Sequence, residues 1–314
     1  MMTKKLSAII TSYRDEESIP LMYRRLTDVF KTITTSYEII FVNDASPDNS
    51  EAVLAELAAR DKHIVVINHA RNFNSQNAFS SGMDVATGDA VILLDGDLQD
   101  PPELIPQFVA KWQEGFDVVY GVRTKREGVG LIRFFYSLFY RLFKKLSYLN
   151  IPLDAGDFSL MDRKVVDVIN QMPERDRFIR GLRAWVGFKQ MGVPYVRPDR
   201  LFGKSNNNLI KNIWWAKKGI FSFSYQPLEL ISYLGFFIVL ASFLLTLVYI
   251  VLYFVSPQNT GARGIQTIIF LVLFLGGVQL LSISIIGEYI AKIFEEVKGR
   301  PKYIIKSILN DPRL

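Results

Sequence analysis

The sequence predicts an α/β domain with a mostly parallel sheet, followed by amphipathic segments and a two-helix hairpin long enough to cross a membrane. Three observations carry that expectation. Strand-like and helix-like segments alternate through the first third of the 314 residues, which implies right-handed crossovers and a sheet covered on both faces. The run Val91-Ile92-Leu93-Leu94 is apolar on both faces and leads straight into Asp95-Gly96-Asp97. That is the pattern of a buried strand ending at the edge where open α/β sheets bind ligands. Two long segments, 228–255 and 265–287, are almost free of charge.

The elements follow in order. Leu6–Ser12 reads as a strand and Glu17–Thr32 as a helix. Tyr37–Val42 is a strand ending at Asn43-Asp44, and Asp48–Arg60 is a helix that Asp48 is placed to cap. His63–Asn68 is a strand, Ser75–Thr87 a helix, and Ala90–Leu94 the strand before the aspartates. Pro102–Gly115 is a helix with proline near its start, and Asp117–Tyr120 is a further strand.

Residues 129–149 interleave Arg133, Arg141, Lys144 and Lys145 with Phe134, Phe135, Tyr136, Phe139, Tyr140 and Phe143, the composition of a helix lying in a membrane interface. Within the juxtamembrane stretch 207–227, Trp214 and Trp215 stand beside Lys211, Lys217 and Lys218, as at the headgroup level of a bilayer.

Leu228–Val255 has one charge, Glu229, and Ile265–Gly287 has none; a bilayer core of ~30 Å needs about 20 helical residues, so each is long enough to cross. The link Ser256–Gly264, with Arg263 as its one charge, makes a tight hairpin. The tail, 291–314, carries Lys292, Lys298, Arg300, Lys302 and Lys306. The positive-inside tendency puts that tail in the cytoplasm, and two crossings put residues 1–206 there too. No secretory leader is expected, since Leu6–Ile10 is too short for a signal core.

The net charge of +6 sits near apolar, aromatic segments, which favours an anionic membrane surface over nucleic acid. The absence of cysteine excludes disulfides and thiolate metal sites. The two histidines, His63 and His69, lie around the third predicted strand and read as structural. No Gly-x-Gly-x-x-Gly follows the first strand, which argues against a dinucleotide cofactor. Gly203-Lys204-Ser205 resembles the end of a P-loop, but Pro198 stands where its first glycine belongs.

Chemistry is expected at the strand ends. Two carboxylates with one small residue between them, Asp95 and Asp97, can hold a hard divalent cation, which in turn holds a diphosphate. Asp44, at the end of the second strand, can accept hydrogen bonds from a base or ribose.

In order along the chain, Ser12-Tyr13-Arg14-Asp15-Glu16, then Asn43-Asp44-Ala45-Ser46-x-Asp48, then Asp95-Gly96-Asp97-Leu98-Gln99-Asp100-Pro101-Pro102 resemble the GT-A inverting glycosyltransferases of family 2. Within them the chain looks like the polyprenyl-phosphate glycosyltransferases, relatives of dolichol-phosphate mannose synthase, and above all like the bacterial bactoprenol glucosyltransferases and aminoarabinose transferases. Ala155-Gly156-Asp157-Phe158, Arg200-x-x-Gly203-x-Ser205, Gly287-Glu288-Tyr289-Ile290 and Arg300-Pro301-x-Tyr303 fit the same group.

The resemblance implies roles. Ser12, Tyr13, Glu16 and Asp44 would hold the nucleoside. Asp95, Asp97 and Gln99 would surround Mg²⁺ or Mn²⁺ with the diphosphate, and Arg200 would lie near it. Asp157 matches an active-site aspartate, while Arg123, Arg133 and Ser137 fall where the mannose synthases grip the lipid phosphate. One departure is Asn206-Asn207-Asn208 after Ser205, where many relatives have Lys-Tyr.

The function expected is inverting transfer of one sugar, glucose from UDP-glucose, to undecaprenyl phosphate at the cytoplasmic face of a bacterial inner membrane. Three alternatives stay open. The donor could instead be of the GDP-mannose or UDP-aminoarabinose type. A processive polysaccharide synthase is the second, although its Gln-x-x-Arg-Trp is missing. The third is a non-enzymatic nucleotide-sugar sensor, against which the intact Asp95, Asp97, Gln99 and Asp157 argue. Small residues Gly276, Gly277, Ser282, Ser284 and Gly287 suggest close helix approach and a homo-oligomer such as a tetramer.

Overall fold

The computed structural model describes residues 3–124, 155–199, 201–202, 221–255, 264–311 and 313. Its strands are β1 (Leu6–Ser12), β2 (Tyr37–Asn43), β3 (Ile64–His69), β4 (Ala90–Asp95), β5 (Val118–Arg123), β6 (Ala155–Asp162), β7 (Gln190–Tyr195) and β8 (Ile305–Leu309). Its helices are α1 (Ile19–Ile33), α2 (Ser50–Arg60), α3 (Ser75–Val85), α4 (Ile105–Gln113), α5 (Arg163–Gln171), α6 (Ile179–Trp185), α7 (Gln226–Val255) and α8 (Ile265–Val297). A 3₁₀ turn, Pro102–Leu104, precedes α4.

The strands form one eight-stranded sheet in the order β7-β5-β6-β4-β1-β2-β3-β8. The central β4-β1-β2-β3 block is parallel. β6 enters antiparallel between β4 and β5, and β7 returns parallel to β5. Side chains alternate across each strand, so Leu6, Ala8 and Ile10 join a core with Met22, Leu26, Phe30 and Phe108, while Ile9 joins Phe79, Met83 and Val165 on the other face. α1 shows why the helices fit. Its buried Ile19, Met22, Leu26 and Phe30 recur at helical spacing, which makes one apolar stripe.

The helix over the third crossover stops at Val85, two residues short of the expected Thr87, because the chain turns to extended backbone at Ala86. α2 begins at Ser50 with Asn49 at its N-cap position. Asp48 sits one residue earlier; its Oδ1 accepts the Ser50 N–H at 3.1 Å, so the expected cap is displaced by one position. The strand expected at 117–120 is longer, running to Arg123 along β7.

α7 and α8 hold 30 and 33 residues, about 45 and 50 Å at 1.5 Å per residue. Both contain stretches long and apolar enough to cross a membrane, and those stretches are not covered by the rest of the protein. Exposed Phe236, Phe237, Leu245, Leu273, Leu280 and Ile283 form an apolar surface that is costly in water and suited to lipid.

The residues expected to form a tail are structured. α8 continues past Gly287 to Val297, and its last turns dock on the α5–α6 loop and on the segment that leads into α7. Glu296 accepts the Arg175 N–H at 2.8 Å, Lys292 pairs with Asp176, and Tyr289 donates to the Ser224 carbonyl at 2.8 Å. The chain then turns at Gly299 (φ 63°) and enters the sheet as β8, antiparallel to β3. Pairing across so long a sequence separation leaves no local signal.

Candidate active site

The parallel strands end together. Thr11 registers with Asp95 and Ser12 with Asn43. Backbone bonds carry the alignment into the loops, from the Gly96 N–H to the Thr11 carbonyl (3.0 Å) and from the Asp44 N–H to the Ser12 carbonyl (3.1 Å). Of the six non-glycine residues with positive φ among the described residues, Arg14, Ala45, Asn74 and Leu98 sit in the loops after β1, β2, β3 and β4. Backbone strain of this kind clusters where a fold is held for function.

Gly96 separates the two aspartates because nothing larger fits: a Cβ there would stand 2.6 Å from the Thr11 carbonyl oxygen. Gly96→Ala is expected to displace the Asp95–Asp97 turn and lower the midpoint of thermal unfolding by about 4 °C or more. A melting curve indistinguishable from the parent would refute it.

The loops after β1 and β2 interlock. The Ser46 hydroxyl donates to Asp48 Oδ1 and accepts the Arg14 N–H at 2.8 Å. Asp48 Oδ2 accepts the Glu16 N–H, and Glu16 Oε2 accepts the Asn49 N–H at 2.7 Å. Glu16, expected beside the nucleoside, is thus engaged in joining two loops. Tyr13 is exposed, while Ser12 is buried, its hydroxyl without a hydrogen-bond partner among the described residues. Asp44 is buried, and its Oδ1 accepts from the Phe73 N–H and meets His69 Nδ1, both at 2.8 Å.

Asp157 arrives from β6. Leu93 pairs with Ser159 across the antiparallel β4–β6 ladder, and continuing that register two residues places Asp157 opposite Asp95 on the same face. Its Oδ2 accepts from Gln76 Nε2 at 2.9 Å and from Arg180 at 3.4 Å. Gln76 is itself anchored, accepting the Ile179 N–H on Oε1 at 2.6 Å. Arg183, buried beneath, donates to the Gly156 carbonyl at 3.3 Å. Four buried polar atoms here have no hydrogen-bond partner among the described residues: Asp157 Oδ1, Arg180 Nε, Arg183 Nη1 and Arg197 Nε.

The charges explain the protonation states. Burial opposes ionisation of Asp157, but Arg180, Arg183 and the Gln76 hydrogen bond outweigh it and hold the carboxyl below its usual range. Asp95 goes the other way. Burial, then Asp100, Asp97 and Asp157, push it well above that range, with Arg197 opposing. Burial also raises Asp100, against Arg123, Arg197 and the Tyr195 hydroxyl that donates to it at 2.9 Å. Arg183 is pushed down to about 10 by burial, so it stays a cation at neutral pH.

Asp97 Oδ1 accepts the Gln99 N–H at 3.1 Å, Asp97 Oδ2 lies 3.7 Å from Arg197, and Gln99 donates to the Pro198 carbonyl at 3.2 Å. Among the described residues no three His, Asp or Glu side chains converge as a protein metal cage. The two aspartates and Gln99 instead suit a cation that shares its shell with a bound ligand. Crowded carboxylates with Asp95 forced toward its neutral form are what such a cation would relieve.

Arg123 closes β5, its Nε 3.4 Å from the Tyr195 hydroxyl. The structure therefore brings Ser12, Asp44, Asp95, Asp97, Gln99, Arg123 and Asp157 to one edge. Arg133, Ser137 and Arg200 lie outside the described residues, as does the interfacial stretch 129–149. Gln76, Arg180, Arg183 and Arg197 were not legible in the sequence. A shallow pocket of about 400 Å³ lined by Lys5, Tyr37, Glu38 and Asn310 lies where β1 and β2 begin, away from this edge.

Comparison with known proteins adds the following. The family model described as Glycosyl transferase family 2 matches residues 7–169. An uncharacterised glycosyltransferase of Bacillus subtilis, YkcC, is 42% identical over 301 residues, 96% of this chain and 93% of that protein. The SfII prophage-derived bactoprenol glucosyl transferase of Shigella flexneri is 42% identical over 305 residues, 96% of this chain and 97% of that one. Among solved structures, the mannosyltransferase PcManGT from Pyrobaculum calidifontis aligns over 96% of this chain and 89% of its own, at 14% identity and a TM-score of 0.49.

Proposed function

The chain belongs to glycosyltransferase family 2, and from that premise we propose that it transfers one glucosyl residue from UDP-glucose to undecaprenyl phosphate, with inversion. The near full-length similarity to a bactoprenol glucosyl transferase supports the acceptor and the sugar. The observation that carries the reading is the placement of Asp157, an ionised carboxylate flanked by arginines, opposite the Asp95-Gly96-Asp97 turn.

In the proposed complex Ser12, Tyr13 and Asp44 hold the nucleoside, with Glu16 bracing their loop. Asp95, Asp97 and Gln99 would hold a divalent cation, Mg²⁺ or Mn²⁺, on the diphosphate side of the site, and Arg200 would serve the diphosphate. When bound, that cation neutralises charge on the leaving diphosphate. A phosphate oxygen of the acceptor attacks the anomeric carbon from the face opposite the diphosphate. The new carbon–oxygen bond forms as the bond to the diphosphate oxygen breaks, and nucleoside diphosphate leaves.

The acceptor's second ionisation falls near ~6, so it arrives largely as a dianion and no strong base is needed. Arg180, together with Arg123, Arg133 and Ser137, receives its phosphate, since the guanidinium fork pairs bidentately with phosphate oxygens; the buried Arg183 acts through its charge on Asp157. Asp157 steadies positive charge developing on the sugar.

α7 and α8 anchor this domain in the bacterial inner membrane, with the catalytic edge on the cytoplasmic side. Both α8's last turns and β8 return to the domain, so the hairpin enters and leaves the bilayer on the same face. The chain is proposed to work as a homo-oligomer.

The test is a transfer assay on the full chain in lipid with undecaprenyl phosphate and Mg²⁺. Labelled UDP-glucose, UDP-galactose, UDP-GlcNAc and GDP-mannose are offered in parallel, with an EDTA control. A chloroform-soluble product from UDP-glucose, lost in EDTA, is expected. A product from another donor alone corrects the sugar. No product from any of these donors, with UDP binding intact, overturns glucose as the sugar and points to an unusual donor or to a nucleotide-sugar sensor.

A further inference from the structure

We infer that Tyr303 and His69 position Asp44, so that the segment leaving the second membrane-length helix sets the affinity for the nucleotide. The inference rests on the reading of Asp44 as a nucleoside ligand.

Two routes of contact run from that segment to the loop after β2. The first is a ring stack. Tyr303 lies over His69, with centroids 5.6 Å apart and planes 8° from parallel. His69 Nδ1 meets Asp44 Oδ1 at 2.8 Å and its Nε2 meets the Ser81 hydroxyl at 2.8 Å. His69 is almost wholly buried, so its orientation is set by what it touches. The Tyr303 hydroxyl donates to Asp84 on α3, which holds the ring in place.

The second route is a relay of amides. Asn68 Nδ2 donates to the Ser307 hydroxyl at 3.1 Å, and Asn68 Oδ1 accepts from Asn43 Nδ2 at 2.9 Å. Asn43 Oδ1 then accepts the Ser46 N–H at 3.0 Å. Both routes start on the segment 303–307 and end on residues 44–46.

That segment is fastened along its length. Arg175 Nε donates to the Arg300 carbonyl at 2.7 Å, and Lys302 donates to the Met172 carbonyl at 2.7 Å. The Ala70 N–H donates to the Ile304 carbonyl at 2.9 Å, and Ile305 registers with His69. The loop carrying Asp44 is strained at Ala45 (φ 53°) and bears no regular structure. Its geometry depends on these contacts, because a buried carboxylate is aimed by the donors around it. Tyr303 and His69 are positioning residues, acting through Asp44.

The test uses the full chain in lipid nanodiscs and calorimetric titration with UDP and, separately, GDP, both with Mg²⁺. Donor and acceptor KM are measured alongside. Tyr303→Leu and His69→Leu are expected to weaken nucleotide binding about tenfold, raise donor KM in parallel and leave acceptor KM within about twofold. His69→Asn, whose amide can donate to Asp44 from near the place of Nδ1, should keep most of the affinity. Lys306→Ala, which removes only an exposed pair with Glu51, should bind as the parent does.

Should Tyr303→Leu fail to fold, the contrast between His69→Leu and His69→Asn decides. Equal losses in donor and acceptor KM would mean a general structural role and overturn the inference. If Asp44→Asn weakens binding while Tyr303→Leu and His69→Leu do not, the positioning role fails and the ligand reading stands. If Asp44→Asn itself binds normally, both fall.

Discussion

Replacing Asp97 with asparagine is expected to lower transfer about 10³-fold, the scale on which removing one preorganised electrostatic contact acts. The swap conserves shape. The asparagine Oδ1 can still accept the Gln99 N–H that Asp97 Oδ1 accepts at 3.1 Å, so the turn is retained. What is lost is one negative charge from the pair proposed to hold the cation. Single-turnover transfer should fall while UDP binding without added metal is unchanged. Parent-like transfer in Asp97→Asn would remove the cation from the mechanism.

The second large effect falls on Asp157. Asp157→Asn is expected to reduce kcat about 10³-fold with donor KM little changed, because the charge acts on the transition state more than on the bound donor. Gln76→Leu should share part of this loss, since Gln76 is the neutral donor holding Asp157 Oδ2 at 2.9 Å. A loss in donor KM instead of kcat would place Asp157 in donor binding.

The pH dependence follows from the same contacts. Arg180 and Arg183 overcome burial and depress Asp157. A depressed carboxyl keeps its charge as pH falls through the ordinary carboxylate range and loses it only below. Activity should therefore fall on acidification near ~6, with the acceptor's second phosphate ionisation, and not with Asp157. Arg180→Met removes one of the cations that depress Asp157, while Arg183 and the Gln76 hydrogen bond still hold its carboxyl down. Read on kcat/KM for the acceptor, which follows the free phosphate and the free enzyme, the limb should stay put in that variant. A limb that moves upward in Arg180→Met would show that Asp157 itself limits the rate.

The half of the candidate site at the ends of β2 and β4 was legible because local rules govern it. Apolar runs ending in Asn43-Asp44 and in Asp95-Gly96-Asp97 mark strands and their ends without reference to the rest of the chain. Asp157 was found only through resemblance. Its strand, β6, is antiparallel to β4 from more than sixty residues away, and nothing in Ala155-Gly156-Asp157-Phe158 announces that partner. Gln76 and Arg180 are harder still, since each acts only because α3 and α6 pack beside β6. His69 read as structural, and it is buried, but its contact with Asp44 makes it part of the site's support.

The sequence by itself determined the element types of the parallel core, the edge at which the carboxylates gather and the two membrane-length helices. All of these follow from hydrophobic period and length, which a short window contains. The tertiary structure alone decided that β6 faces Asp157 toward Asp95, that arginines keep Asp157 ionised while Asp95 is driven the other way, and that the expected tail completes α8 and adds the eighth strand. Those outcomes depend on strand register and on charges brought together across long loops. No local pattern encodes them, because the pairing of a short strand is settled by the edge it meets and not by its own residues.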